Sequence, residues 1–558
     1  MDLHDAFARL TPSSETLSEE EAQLTAPFFT NADRSVVALR NLPEAIKGAL
    51  FSRYSRSSKG VRRLFLDEFF VRGDLGLEAF AHTAARLRQE VSAGEEKAEA
   101  FYQRILSDYG DDSVGELGGA HLACQEVSQV AARALVDNRL GLSYLEKSSR
   151  YVPFDDRVNG QFRYYRPQKV LQSAHAAAYV ATMDALFESY AAHLPRIIQH
   201  LSQKHPIESL EFENALTGEV APFPEIADST MRQSAQFAYR QAVRARACDV
   251  LRCFLPMATL TNVGVWGNGR ALEYLLLKLY ANPLDEVQAL AHAAQHELDQ
   301  VIGPFIRRAR DDKGQAQQRF LLAMQAQQRE LAQRNLDGQH STGAAKVTLV
   351  RYDADALERV VAAILFPAAD LAKTDIMARV EALTPDEKAH IVRAYTGERG
   401  NRRHKPGRAF ERATYEFDLL LNIGEFRDLQ RHRVVSAERQ AFTPAHGYDT
   451  NSDVGEVEEV RADYERRMTQ AAALFAQLLD DLPLEAQYVV PFGYRVRYNE
   501  PYSGMAGLIY SARRHGDAHD VAYVELEINN ALLRTSTGVT RLGRDVARAL
   551  AVTRPCKR

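Results

Sequence analysis

Cysteine is scarce in this chain. Cys124, Cys248, Cys253 and Cys556 are spread over 558 positions without a CxxC pair, which excludes a disulfide framework and fits a reducing compartment. Long apolar runs are missing too: "VVAAILFPAADLA", among the richest, is too short and interrupted to span a bilayer. The opening "MDLHDAFARL" lacks the basic start and apolar stretch of a signal peptide, so a cytoplasmic protein with no membrane partner is expected. Nor is there a positive excess. Sixty-nine Lys and Arg face 74 Asp and Glu, for a formal net charge of -5, which disfavours a general nucleic-acid binder. GxGxxG, GxxxxGK[ST] and GxSxG do not occur, so Rossmann, P-loop and serine-hydrolase readings lose support.

What remains is a soluble globular composition, 46% hydrophobic and 26% charged, in a chain too long for one core. The best boundary is "NLDGQHSTGAAK", Asn335 to Lys346, between a Gln-rich helical stretch and a strand-like "VTLVRY". Domains over 1–335 and 346–558, joined by a linker at 336–345, are therefore expected. The halves share an order of elements. "YEFDLLLNI" alternates as a strand, Gly424 breaks it, and "EFRDLQRHR" reads as a helix with acids first and arginines last. In the first half Val127, Val130, Ala131, Ala134 and Leu135 form a helical stripe. Each segment runs into an arginine-containing turn followed by a serine, the pattern of a diverged duplication.

Two clusters carry chemistry. "RHRVVS" sets Arg431, His432 and Arg433 side by side ahead of Ser436. Three adjacent cationic or titratable groups call for an anion to offset them: carboxylates elsewhere in the chain, a nucleic-acid backbone or a phosphorylated small molecule, of which the net charge favours a local anion site. "DNRLGLSYLEKSSRYVPF" reads as a turn that packs Ser143, Glu146, Ser148 and Arg150 closely. Hydroxyls and a planar guanidinium hold phosphate well, and the same spacing fits a capped turn with an ion pair. Glu146 is suited to neutralising an arginine or accepting from a base or ribose. In "GNGRALEYLLLKLY", Asn268 is a helix N-cap whose amide is also suited to a planar heterocycle, with Arg270 in the first turn. The pairs His292/His296 and His515/His519 have i, i+4 spacing but no HExxH context, so no metal site is assigned.

These residues resemble the flavin-dependent thymidylate synthase family. Arg431, His432, Arg433 and Ser436 reproduce RHRxxS, the front of its signature RHRxxSxNExSxR. Ser143, Glu146, Ser148, Arg150 and Tyr151 match the back, SxxExSxRY. Ser113 and Glu116 are similar to the family's HxSxxE, "EVSQVA" to its GVSR segment, and Asn268, Arg270 and Leu272 to its NxRxL. The signature is split between the halves. After Ser436 comes "AERQAF", without the family's Asn, Glu and final Arg; Asp137-Asn138-Arg139 stands where RHR belongs; Asp111 replaces a histidine; and Lys278 replaces an arginine.

The resemblance implies an α+β fold: two tandem thymidylate synthase-like domains, each a mixed sheet flanked by long helices. It implies FAD as cofactor, NADPH and methylenetetrahydrofolate as cosubstrates, and reductive methylation of dUMP to dTMP at composite sites between the halves. Flavin carries the chemistry, so no catalytic residue is assigned on the protein. The cofactor would lie at Arg431, His432, Arg433, Asn268 and Arg270. The nucleotide would lie at Ser143, Glu146, Ser148, Arg150, Tyr151, Ser436, Ser113 and Glu116. A homodimer would act as a pseudo-tetramer. The lost signature positions leave two alternatives: a different pyrimidine nucleotide as substrate, or an inactive paralogue that binds nucleotide or flavin.

Overall fold

A computed structural model describes residues 1–70, 114–214, 218, 220–339, 345–401, 403–433, 435 and 438–503. Ser113, Ser436, His515, His519 and Cys556 lie outside the described residues. The chain is α+β and forms two compact units. The first comprises Met1–Ser341, Asn422–Asp428 and Ala441–Arg495; the second comprises Thr342–Leu421, Leu429–Gln440 and Val496–Arg558.

A four-stranded sheet organises the first unit. Its strands are β1 (Val36–Leu39), β2 (Gly119–Ser128), β3 (Leu142–Glu146) and β4 (Leu260–Asn268), in the order β1-β2-β4-β3. All three pairings are antiparallel, where the resemblance implies a mixed sheet. β2 and β4 are buried along nearly their whole length. Small residues let neighbours close in: a Cβ on Gly267 would stand 2.3 Å from the Leu142 side chain. Glu126 sits in a break of the β2–β4 register with φ of 55°. Such a bulge bends the strand and redirects its side chains. The Glu126 carboxylate accepts from Ser14 Oγ at 2.7 Å and pairs with Arg163.

Two readings of local structure need correcting. Val127 belongs to β2, and the helix α1 begins only at Gln129 (Gln129–Val136), with the Ser128 hydroxyl capping Ala131 N. The segment "LSYLE", read as a turn, is strand β3. It pairs in register with β4 and is introduced by Gly141, whose φ of +71° glycine adopts without strain.

The unit has five long helices, α2 (Ala176–Lys204), α3 (Ser229–Leu251), α4 (Gly269–Tyr280), α5 (Asp285–Ile306) and α6 (Asp312–Leu336), of which α4 and α5 pack against the sheet. α2 buries Tyr179, Met183, Leu186, Tyr190, Leu194, Ile197 and Leu201 at helical spacing. His193 is buried on the same helix, with its Nε2 lying 2.8 Å from Asp463 Oδ2.

The second unit is smaller. Helices α7 (Ala356–Leu365) and α8 (Lys373–Glu381) meet through Val361, Ala362, Ile376 and Val380, and α9 (Pro385–Thr396) packs Ile391 and Val392 against that cluster. Its sheet contains β5 (Val347–Tyr352), β6 (Thr414–Asn422), β7 (Glu438–Arg439) and β8 (Arg495–Ser503), in the order β7-β8-β6-β5. The expected strand at "YEFDLLLNI" is thus present as β6. Gly424 lies inside the next helix, α10 (Ile423–Leu429), rather than breaking the chain before it. That helix stops short of Arg431, so the RHR residues follow it instead of forming its last turn.

Candidate functional site

The end of β3 and the turn after it gather most of the charged residues expected to bind nucleotide. Leu142 pairs with Gly267, Ser143 with Trp266 and Glu146 with Val263. Beyond the strand, Ser148 N donates to Ser55 O at 2.9 Å, and Tyr151 N donates back to Ser148 O at 3.2 Å. The Ser148 hydroxyl accepts from Arg150 N at 3.3 Å. This short turn fixes two hydroxyls and a guanidinium within three residues. Tyr151 is exposed, with the Arg56 guanidinium 5.6 Å from its ring centre.

Glu146 points inward. One carboxylate oxygen pairs with Arg133 and the other accepts from Arg427 Nη2 at 2.7 Å. All three side chains are at most 5% exposed. Arg427 also donates to Ser149 Oγ at 3.1 Å, and its guanidinium lies 4.9 Å from the Phe492 ring centre. Two buried cations thus share one carboxylate. Of the two roles open to Glu146, neutralising an arginine is the one its contacts display.

Arg150 points outward and keeps 46% of its side chain exposed. Its Nε lies 3.1 Å from Asp249 Oδ1, and Nη2 pairs with Asp428. Burial works against its charge, but the two aspartates outweigh that and its pKa is raised. Arg252, behind it, also pairs with both aspartates and is only 13% exposed. Burial lowers the Arg252 pKa despite those carboxylates.

Lys147, between Glu146 and Ser148, is buried and 5.1 Å from the Phe154 ring centre. Desolvation, with the Arg163 charge adding to it, lowers its pKa to about 7.

At the start of α4, Asn268 Oδ1 accepts from Ala271 N at 2.8 Å, the N-cap role. Arg270 Nη1 reaches Glu116 Oε1 at 2.8 Å, and both side chains are half exposed. In the second unit, Arg431 and Arg433 are exposed and His432 is half-buried, its N donating to Leu429 O at 3.1 Å. The structure therefore joins Ser148 and Arg150 in one turn, with Glu146 at the end of the preceding strand facing inward, and Glu116 with Arg270 in one ion pair. His292 and His296 pack against the rings of Tyr280 and Phe7. The described His/Asp/Glu group of ligand-like spacing is His200, Asp453 and Glu456; Lys204 already lies 2.8 Å from Asp453 Oδ1 and 2.7 Å from Glu456 Oε2.

Sequence reasoning missed Arg133, Asp249, Arg252 and Trp266. Arg133 alone had left a signal, as the one charge in the apolar helix "QVAARALV". Trp266, the sole tryptophan, is 41% exposed on β4 opposite Ser143.

A UPF0159 protein of Chlamydia muridarum is 37% identical over 485 residues, 86% of each chain. The chain belongs to the UPF0159 family. Another member, from Chlamydia pneumoniae, is 36% identical over 86% of this chain and 85% of its own. A third, from Thermoplasma acidophilum, is 34% identical over 80% and 84%. Within this UPF0159 chain, residues 76–303 match the family Thy1, thymidylate synthase complementing protein. That segment contains Glu116, the Ser143–Tyr151 stretch, Asn268 and Arg270. The resemblance to flavin-dependent thymidylate synthases thus holds for it. Among the described residues no helix is long and apolar enough to cross a membrane.

Proposed function

We propose that this UPF0159 protein is a flavin-dependent methyltransferase that converts dUMP to dTMP, with methylenetetrahydrofolate as carbon donor and NADPH as reductant. The observation that carries the reading is the Ser148–Arg150 turn. It lies inside the Thy1 segment and carries a half-exposed guanidinium on a turn whose Ser148 hydroxyl accepts from the Arg150 backbone N, groups of the kind a phosphate monoester takes as donors.

In this reading Arg150, Ser148 and Ser143 bind the nucleotide, with Tyr151, Ser113 and Ser436 beside it. Arg431, His432 and Arg433 hold the flavin pyrophosphate, with Arg270 and the Asn268 amide assisting. Glu116 orients Arg270, and Glu146 keeps Arg133 and Arg427 fixed beneath the turn. The reduced flavin, when bound, supplies electrons for the transferred carbon. The protein's own share is to position the uracil and to set positive charge where negative charge develops. The two chain halves are diverged copies with complementary losses, over 1–335 and 346–558, and a homodimer is the working assembly.

The occupied state of Arg150 favours a second reading: a different pyrimidine nucleotide, or nucleotide and flavin binding without turnover. One purification separates these. Uptake of FAD, seen as a flavin spectrum and lost when Arg431 and His432 are replaced together, supports both flavin readings. Release of the uracil C5 proton from dUMP in the presence of reduced flavin supports thymidylate synthesis. A protein that takes up FAD and dUMP without that release is the non-catalytic relative. One that takes up neither sinks the proposal.

A further inference from the structure

Arg150 is part of a closed quartet with Asp249, Asp428 and Arg252. Arg252 Nε lies 3.2 Å from Asp249 Oδ1 and Arg252 Nη2 lies 3.6 Å from Asp428 Oδ2. Arg246 Nη1 adds a contact at 3.6 Å to Asp249 Oδ2. Each aspartate therefore has a second cation besides Arg150. The members differ in exposure: Arg252 is mostly buried, Arg150 is half exposed, and the aspartates lie between at about a quarter.

These differences decide which contact yields. An exposed ion pair contributes little, whereas stripping a buried cation of its partners costs several times as much. Withdrawing Arg150 leaves both carboxylates paired with Arg252. Withdrawing an aspartate would leave the mostly buried Arg252 with one carboxylate instead of two. The labile member is Arg150, and its two carboxylates occupy Nε and Nη2, the guanidinium edge that a phosphate would take.

We infer that Asp249 and Asp428 are positioning residues that act as internal stand-ins for a phosphate at Arg150 and select for a dianionic ligand. The inference rests on the reading that Arg150 takes the nucleotide phosphate. A phosphate monoester above its second pKa of about 6 carries two charges and three acceptor oxygens. It can compete with the singly charged carboxylates of Asp249 and Asp428 for the fork, while a neutral nucleoside carries no charge with which to do so.

The test measures dUMP, deoxyuridine and inorganic phosphate binding to the full-length protein by titration calorimetry. Wild type is compared with Asp428→Asn, Asp249→Asn, and Asp428→Asn combined with Arg150→Ala. Removing one competing charge should tighten dUMP and inorganic phosphate about two- to fivefold and leave deoxyuridine unchanged. The gain should vanish in the Arg150→Ala combination, and thermal melting of each variant separates this from misfolding. If dUMP binds the wild type and neither Asp→Asn variant tightens it, the inference falls and the functional reading stands. If inorganic phosphate tightens but dUMP binds no variant, the anion site stands and the nucleotide reading falls. Binding of neither ligand to any variant overturns both.

Discussion

Glu146 and Arg427 are 281 residues apart in sequence and meet at 2.7 Å, with Arg133 on the other oxygen of the same carboxylate. The contact lies within one compact unit. It ties the signature strand to the helix that precedes the RHR residues. Removing one partner of a buried pair leaves an uncompensated charge, which costs about 3–5 kcal/mol. Glu146→Gln should therefore lower unfolding stability by roughly that amount in urea, with nucleotide affinity falling in step with the folded fraction. Undiminished stability combined with lost nucleotide binding would show instead that Glu146 serves the ligand directly.

Lys147 predicts a pH dependence. Its folded pKa is about 7, below the ordinary 10.5, because the buried ammonium is poorly solvated. Between these values the unfolded chain binds more protons than the folded one, so the residue's contribution to stability rises with pH across that window. Below about pH 7 the cost of charging the buried amine is fully present; above about 10.5 it is gone. Lys147→Met should thus be more stable than wild type at pH 7, by something on the order of 4 kcal/mol. The advantage should shrink steadily towards pH 10. Parallel stability curves for the two proteins would mean that the amine is solvated.

Much of this site was legible in the sequence, and what was missed has physical reasons. Asn268 as a cap, the helix that follows it and the strand at Thr414–Asn422 follow from local rules that leave marks in consecutive residues. β2 did not, because a strand enclosed between two neighbours and buried along its length loses the alternation that exposes one face to water; β3, at the sheet edge, is five residues long with no regular alternation of buried and exposed positions. Glu146 and Arg150 were visible as chemistry, but their partners Arg427, Asp428 and Asp249 come from distant positions. No spacing rule encodes a pairing across such separations. The antiparallel order of the first sheet is likewise a property of the assembled fold.

Asn268 has a structural duty that can be separated from a flavin duty. Its Oδ1 caps Ala271 N, and losing such a cap costs about 1 kcal/mol. Asn268→Asp keeps the oxygen and the cap but replaces the amide donor with charge. Asn268→Ala loses both. If the amide also contacts flavin, Asn268→Asp should retain wild-type melting behaviour and lose FAD affinity, while Asn268→Ala loses both. Equal FAD affinity in Asn268→Asp and wild type would confine Asn268 to capping.

Trp266 offers a direct reporter on the same sheet. It is the sole tryptophan, partly exposed, paired in register with Ser143, with its ring centre 6.3 Å from that of His121. Protonated imidazole quenches indole emission more strongly than the neutral ring does. Desolvation lowers the His121 pKa to about 4, against a smaller opposing pull from Glu44. The emission should therefore hold steady through pH 6.5 and drop only near pH 4. The same burial implies that stability contributed by neutral His121 is lost as pH falls from about 6.5 towards 4, since the unfolded imidazole takes its proton first. His121→Phe should remove the quenching step and flatten the acid limb of the stability curve. A wild-type transition centred near pH 6.5 would place His121 in contact with water and contradict the enclosed packing of β2.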